Sequence, residues 1–490
     1  MASAHALAGS SRLRVVSHGC RLGLALGLLV FAALLGLASA RSPLLSVGLP
    51  LAALYGALAL RSLAAAVVVF VLVSFFQLIP GIEGSSVTIV KLVGLALAGA
   101  WTVRLLDRRG TTPFLLRDHP LLALAACGFW TWGLASSLWA LEPGRVYTYS
   151  WRVGQGVLLF LIVYSALRSA ADLRAFAWAF VVGAFVAAAL GMIQGSEEAG
   201  RLAGTIGDAN FLAAILVPAL VVAGFLLMTT GAVLARAVLV PMTAVIALSL
   251  YMTQSRGGLV ALGVSFLAGL VLGGRARARV FVALLLVAAT GFLYYGFFAS
   301  AEARQHVTSY SAESSAGRSD LWAIALRELE AKPTTGFGAG NFVVAKPAFA
   351  LESVNITRLD RVVDDQAVVH NTYLEVLAEL GWVGLLLLAS VFSGALLLAR
   401  SGIRALERRG DHRAATLARG IVIATIGILA AFVFLSAQYD KSLWLLLAAS
   451  TATWSIGHRA GGFPDRDRRS PAPACPGMVS GRWSLPSEEA

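Results

Sequence analysis

Residues Leu22–Ala40 read LGLALGLLVFAALLGLASA, an apolar run without a charge in it. The run does not alternate apolar and polar residues, as a barrel strand with one wet face would. At 1.5 Å per residue such a run, repeated along the chain, matches the hydrocarbon thickness of a bilayer. Within lipid the backbone must satisfy its own hydrogen bonds, which leaves helices or a closed barrel. Continuous apolarity selects helices. The whole chain agrees: of 490 residues, 58% are hydrophobic and 13% charged, and the mean hydropathy is +0.78. A soluble domain carries about a quarter charged residues.

The expected fold is therefore all-α, a polytopic transmembrane bundle of about 12–14 helices with one large periplasmic loop that itself contains helices. Spans are expected near 22–40, 44–60, 62–79, 87–103, 121–139, 153–167, 175–194, 211–228, 237–252, 258–273, 280–298, 382–399, 420–437 and 443–457. The domains follow: N-terminal spans over 1–298, the loop over 299–381, C-terminal spans over 382–457 and a disordered cytoplasmic tail over 458–490. Arg12, Arg14 and Arg21 ahead of the first run, and Ala38-Ser39-Ala40 at its end, imitate a cleavable leader. The run is long for a leader and more spans follow, so a retained first helix is expected.

The net charge of +13 has a topological reading rather than a nucleic-acid one. Arg104–Arg117, Arg168–Arg174, Arg275–Arg279, Arg404–Arg419 and His458–Arg459 all fall on one side of the expected bundle. That side, with both termini, is expected to be the cytoplasm. The segments 80–86, 140–152, 195–210, 253–257, 438–442 and the long loop then face outward. Cys20, Cys127 and Cys475 are scattered and suggest neither a disulfide framework nor a metal cluster.

A transporter places ionisable residues inside its helices. Here Lys91 is the clear exception in nearly uncharged spans, and the polar residues gather at the outer interface in four groups. Arg201–Asn210 (RLAGTIGDAN) holds Asp208 and Asn210 just before an apolar helix, fitting an ordinary cap or an anion-attracting helix start. Thr253–Gly258 (TQSRGG) holds Arg256 on a short connection, where it either clamps a phosphate or snorkels. Gly317–Trp322 (GRSDLW) places Arg318 at the start of a loop helix expected over Ser319–Ala331 with Ser319 as N-cap. Pro333–Phe342 (PTTGFGAGNF) follows, a glycine-rich path that fits either close approach to a ligand or a plain turn. Val368–Gly384 (VVHNTYLEVLAELGWVG) has His370 at the head of a helix that carries Glu375 and Glu379 on one face. Imidazole titrates near neutrality and can take a proton from a hydroxyl.

The run H-N-x-Y-L-E-x-x-x-E-x-G-x-x-G from His370 resembles the signature of the O-antigen ligase and O-antigen polymerase superfamily. The G-D-A-N-F, S-R-G-G, R-S-D-L-W and P-x-x-G-x-G-x-G-N-F segments resemble it in the same order, over roughly Arg201–Tyr439. The resemblance implies an inverting, metal-independent glycosyltransferase that uses no cofactor. Its donor would be a glycan on a polyprenyl (undecaprenyl) diphosphate carrier, and its acceptor lipid A–core or another glycan. It implies His370 as general base and Arg256 and Arg318 as diphosphate clamps, with Asp440 as a further acidic position of ligases. Arg201, and Arg152, are added phosphate candidates from topology; Asn371, Glu379, Asp208 and Asn210 are supporting residues. Membrane lipids are expected partners and nucleic acid is not. The rival readings are a polysaccharide polymerase or a protein O-oligosaccharyltransferase of the same superfamily, and, from another class, a non-enzymatic membrane transporter. A single large outer loop favours the ligase.

Overall fold

The computed structural model describes residues 43–76, 89–106, 113–195, 197–198, 200–308, 312–351 and 367–459. The expected span 22–40 with its leader-like flank, the segment 80–86 and the tail beyond 459 lie outside the described residues. Every other expected span falls on a helix. In chain order these are α1 (Pro43–Arg61), α2 (Leu63–Ser74), α3 (Ile89–Leu106), α4 (Pro120–Ala135), α5 (Pro143–Ala166), α6 (Ala170–Gln194), α7 (Ala209–Thr229), α8 (Val233–Met252), α9 (Arg256–Leu272) and α10 (Arg277–Leu293). The loop contributes α11 (Ala301–Thr308), α12 (Ala312–Ala331) and α13 (Phe342–Leu351), followed by α14 (Thr372–Arg408), α15 (His412–Ala431) and α16 (Lys441–Arg459). A two-residue hairpin, β1 (Glu197–Glu198) and β2 (Arg201–Leu202), precedes α7. Among the described residues eight helices are long and apolar enough to cross a membrane. The protein is an all-α, multi-pass membrane protein.

Helix starts are set by residues that satisfy the free amides of the first turn. Ser169 and Asp172 form a reciprocal capping box on α6. Asp208 caps α7, Ser255 caps α9, Asn371 caps α14 and Asp411 caps α15. Pro143 opens α5 ten residues before the expected start, because a proline in the first turn forfeits no helical bond. Residues 143–152, expected in a connection, are thus helical, and Arg152 projects from α5. Two further expectations are corrected. Helix α12 begins at Ala312, so Ser319 lies inside it and is not its N-cap. His370 stands two residues ahead of α14, whose cap is Asn371.

Helix α14 packs along α16 and α15 along α7, and α7, α15 and α16 lie at the centre of the bundle. The contact between α14 and α16 is close because a side chain at Gly402 would collide with the Thr453 carbonyl. The basic connections gather at one end. There Arg459 pairs with Asp118, Arg409 Nη2 donates to the His458 carbonyl at 3.0 Å and Arg419 meets Glu407 at 2.8 Å. The other set of connections meets at the opposite end. Ala339 N donates to Ser136 Oγ (3.0 Å), Glu142 N to Asn341 Oδ1 (2.7 Å) and Arg201 Nε to the Thr253 carbonyl (2.9 Å).

Candidate functional site

The first two motifs form one unit at that opposite end. Arg201 leaves β2 and splits its guanidinium between the Thr253 carbonyl (2.9 Å) and Asn210 Oδ1 (2.8 Å). Ser255 Oγ donates to the same Asn210 oxygen at 2.9 Å, and Gln254 Nε2 to the Gly200 carbonyl at 3.2 Å. Burial pushes the Arg201 pKa down, opposed by Glu198 and Asp208, yet a guanidinium keeps its charge. Arg201 and Asn210 thereby hold the turn from which Arg256 projects as the first residue of α9. Gln254 takes a left-handed φ of 51°, a conformation that non-glycine residues seldom adopt. The Asp208 carboxylate is turned to its own helix, accepting from Asn210 N (2.7 Å) and Phe211 N (2.9 Å).

The third and fourth motifs form a second unit. Trp322, one helical turn beyond Arg318 on α12, donates Nε1–H to the Val369 carbonyl at 3.1 Å. Leu321, Ile324 and Ala325 pack with Phe342, Val369 and Ala378. Arg318 and His370 are therefore carried on segments that share one apolar core. The glycine-rich path between them is a clasp on α14. Phe337 N donates to the Ala378 carbonyl (3.0 Å), Gly338 N to the Glu379 carbonyl (2.8 Å) and Trp382 N to the Pro333 carbonyl (2.8 Å). With Ala339 N bonded to Ser136 Oγ, these amides are spent within the protein, which favours the turn reading over a ligand cradle. The clasp requires glycine at two points. Gly336 (φ 62°) and Gly381 (φ 64°) are left-handed, and a Cβ on either would strike the facing backbone. Gly381 also breaks the helical path of α14, so Thr372–Leu380 and the spanning part from Trp382 point differently.

Residues Phe434–Gln438, between α15 and α16, bridge the two units. On one side Phe434 lies against Gly257, where an added Cβ would be 2.9 Å from the Phe434 Cβ. On the other, Thr372 Oγ1 donates to the Leu435 carbonyl (2.6 Å) and accepts from Ala437 N (2.9 Å). His370 N donates to Ser436 Oγ at 3.1 Å, and the Ser436 hydroxyl donates in turn to the Glu375 carboxyl. Gln438 Nε2 reaches the other Glu375 oxygen at 2.9 Å. This chain holds His370 at a φ of 55°, left-handed for a non-glycine residue. Such conformations persist only where their surroundings enforce them, and they concentrate at functional sites. Arg256 and His370, 114 positions apart by subtraction of their numbers, thus flank one short strap.

One helical turn beyond Glu375 lies a buried polar group, of which the sequence singles out Glu379 alone. Glu379 Oε1 accepts from Phe342 N at 3.3 Å. Glu328 on α12 and Lys346 on α13 are both fully enclosed. Burial, with Glu379 nearby and Lys346 opposing, pushes the Glu328 carboxyl up to about 10. Asp440 accepts from Ser442 N at 2.8 Å and so caps α16; burial pushes its carboxyl up against the opposing pull of Lys441. Arg152 lies over the Tyr439 ring, 5.2 Å from its centroid. Ser436 escaped notice because it falls within an apolar run. In the sequence Glu328 stands among other charges, between Arg327 and Glu330.

No curated protein matches the chain. Residues 241–389 match the family model described as O-Antigen ligase. The match runs from within α8 into α14 and takes in the Arg256 turn, Arg318, the clasp and His370; Arg201, Asn210 and Asp440 stand outside it. Over this segment, less than half of its length, the chain is similar to the O-antigen ligase family.

Proposed function

We propose that the protein is an O-antigen ligase-like glycosyltransferase. It moves a glycan from a polyprenyl diphosphate carrier to lipid A–core at the periplasmic face of the bacterial inner membrane. The observation that carries the reading is the strap Phe434–Gln438, which seats His370 on one side and the Arg256 turn on the other. His370 takes the proton of the acceptor hydroxyl. The acceptor oxygen bonds to the anomeric carbon as the bond from that carbon to the diphosphate breaks, inverting the centre in one displacement. Arg256 and Arg318 receive the charge on the departing diphosphate, with Arg201 fixing the Arg256 turn. Planar guanidinium groups suit this role because they offer paired donors to phosphate oxygens. Partial removal from water strengthens each contact, so no metal is required for the leaving group.

The basic end of the bundle faces the cytoplasm in this account, and with it both termini. A carrier tail then remains in the bilayer while its diphosphate meets the opposite end. A polysaccharide polymerase shares all of this chemistry and differs in its acceptor. The test is transfer by the purified chain from a polyprenyl-diphosphate glycan to lipid A–core and, separately, to a second lipid-linked glycan. Product on lipid A–core supports the ligase; longer lipid-linked chains make it a polymerase; no product with either acceptor overturns the proposal.

A further inference from the structure

At the basic end, far from the strap, a groove of about 600 Å³ opens between the ends of α9, α10, α14 and α15. Its charged lining is Arg277, Arg400, Arg404 and Arg419 against one carboxylate, Glu407, and Arg408 lines an adjoining hollow with Arg400 and Arg404. Glu407 is taken by Arg419 at 2.8 Å. Arg419 Nε and Arg277 Nη2 also hold the end of α9, donating to the Leu272 carbonyl at 3.0 Å and the Val271 carbonyl at 2.9 Å. Among the described residues no acidic side chain pairs with Arg400, Arg404 or Arg408, and all three are exposed. The rest of the lining is apolar: Leu272, Leu396, Leu397, Ile403, Val422 and Ile426.

The register of α14 sets the depth of this groove. From Trp382 to Ala399 the helix has no charge, and that length spans about 27 Å, close to the roughly 30 Å of a hydrocarbon core. Arg400 is the first charge beyond it, at the level where acyl chains give way to headgroups. Arg404 and Arg408 follow at four-residue intervals, so the three share one face. A row of exposed guanidinium groups at headgroup level, above an apolar wall, is complementary to a phosphate that carries acyl chains. A soluble phosphate would match the arginines and leave the wall unused.

We infer that this groove is a binding site for an acidic phospholipid of the adjoining leaflet, its phosphate held by Arg400 and Arg404 and its acyl chains along Leu396 and Leu397. The site is separate from the proposed transfer chemistry and does not depend on it.

The experiment titrates the purified full-length chain in mild detergent with short-chain phosphatidylglycerol, short-chain phosphatidylcholine and glycerol 3-phosphate, counting bound ligand by native mass spectrometry. Phosphatidylglycerol is expected to bind at least about tenfold more tightly than the other two. Each basic side chain near a membrane surface contributes about fivefold in affinity, so Arg400→Gln with Arg404→Gln should weaken that binding by about 25-fold. Arg174→Gln with Arg413→Gln removes the same charge outside the groove and should leave binding unchanged. Equal binding of phosphatidylcholine, equal binding of glycerol 3-phosphate, or full binding by the groove variant would each overturn the inference. The comparison of the three ligands on the wild-type chain stands even where a variant fails to fold.

Discussion

Replacing Ser436 by alanine removes one hydroxyl that performs two tasks. Its oxygen accepts from His370 N at 3.1 Å, and its proton goes to Glu375. The left-handed backbone at His370 costs about 1–2 kcal/mol relative to an ordinary conformation. A typical internal hydrogen bond contributes about 0.5–1.5 kcal/mol, comparable to that cost. Without it, His370 should leave its left-handed state for most of the time. A change of about 1–1.4 kcal/mol lowers the competent population, and with it kcat, by about five- to tenfold. The KM for donor should change less than twofold, because the arginines are untouched. Ser436→Thr keeps the oxygen and should recover most of the rate, with both variants folded by thermal unfolding in detergent. Wild-type kcat in Ser436→Ala, or a threonine variant as slow as the alanine one, would refute the argument that this hydroxyl positions His370.

Arg256→Lys keeps the charge but loses the planar fork, and should lower kcat/KM by at least about tenfold, the loss of one charged hydrogen bond; near-normal transfer would sink the paired-contact role. Gly381→Ala forces a side chain into the Thr334 carbonyl at a φ of 64° and should destabilise the fold by at least about 2 kcal/mol, read as a lower unfolding temperature. Glu328, raised to about 10 in the folded chain, holds its proton more tightly when folded than when unfolded. Its contribution is therefore complete below about pH 4.5 and is lost as pH rises toward 10. Between those limits stability should fall with rising pH by up to about 1.4 kcal/mol per unit. Glu328→Gln should flatten that slope, and an unchanged slope would contradict it.

The membrane bundle was legible because the apolar runs and the basic connections are one-dimensional signals. Each depends on a stretch of neighbours, and each expected span within the described residues falls on a helix. The four polar motifs were legible for the same reason. Their pairing was not. Arg201 reaches Thr253 and Asn210, and Trp322 reaches Val369, through contacts that only the folded chain creates. The helix starts at Pro143 and Ala312 were misplaced because polar residues at the bundle end looked like loop. Ser436 was hidden by its own surroundings: the final residues of an apolar run form the strap that joins the histidine to the arginine turn. The glycine-rich path was ambiguous in sequence, and the hydrogen bonds of its amides decide for a clasp.

The central claim is that His370 and Arg256 act on one lipid-linked diphosphate. The most direct test is release of polyprenyl diphosphate from a labelled donor, with acceptor present, by the wild-type chain, His370→Ala and Arg256→Lys, alongside donor binding by each. The account predicts that His370→Ala binds donor as wild type does and releases at most about 1% as fast, the loss of a general base being about 10²- to 10⁴-fold. It predicts that Arg256→Lys weakens both binding and release. Release by His370→Ala at the wild-type rate would contradict the account.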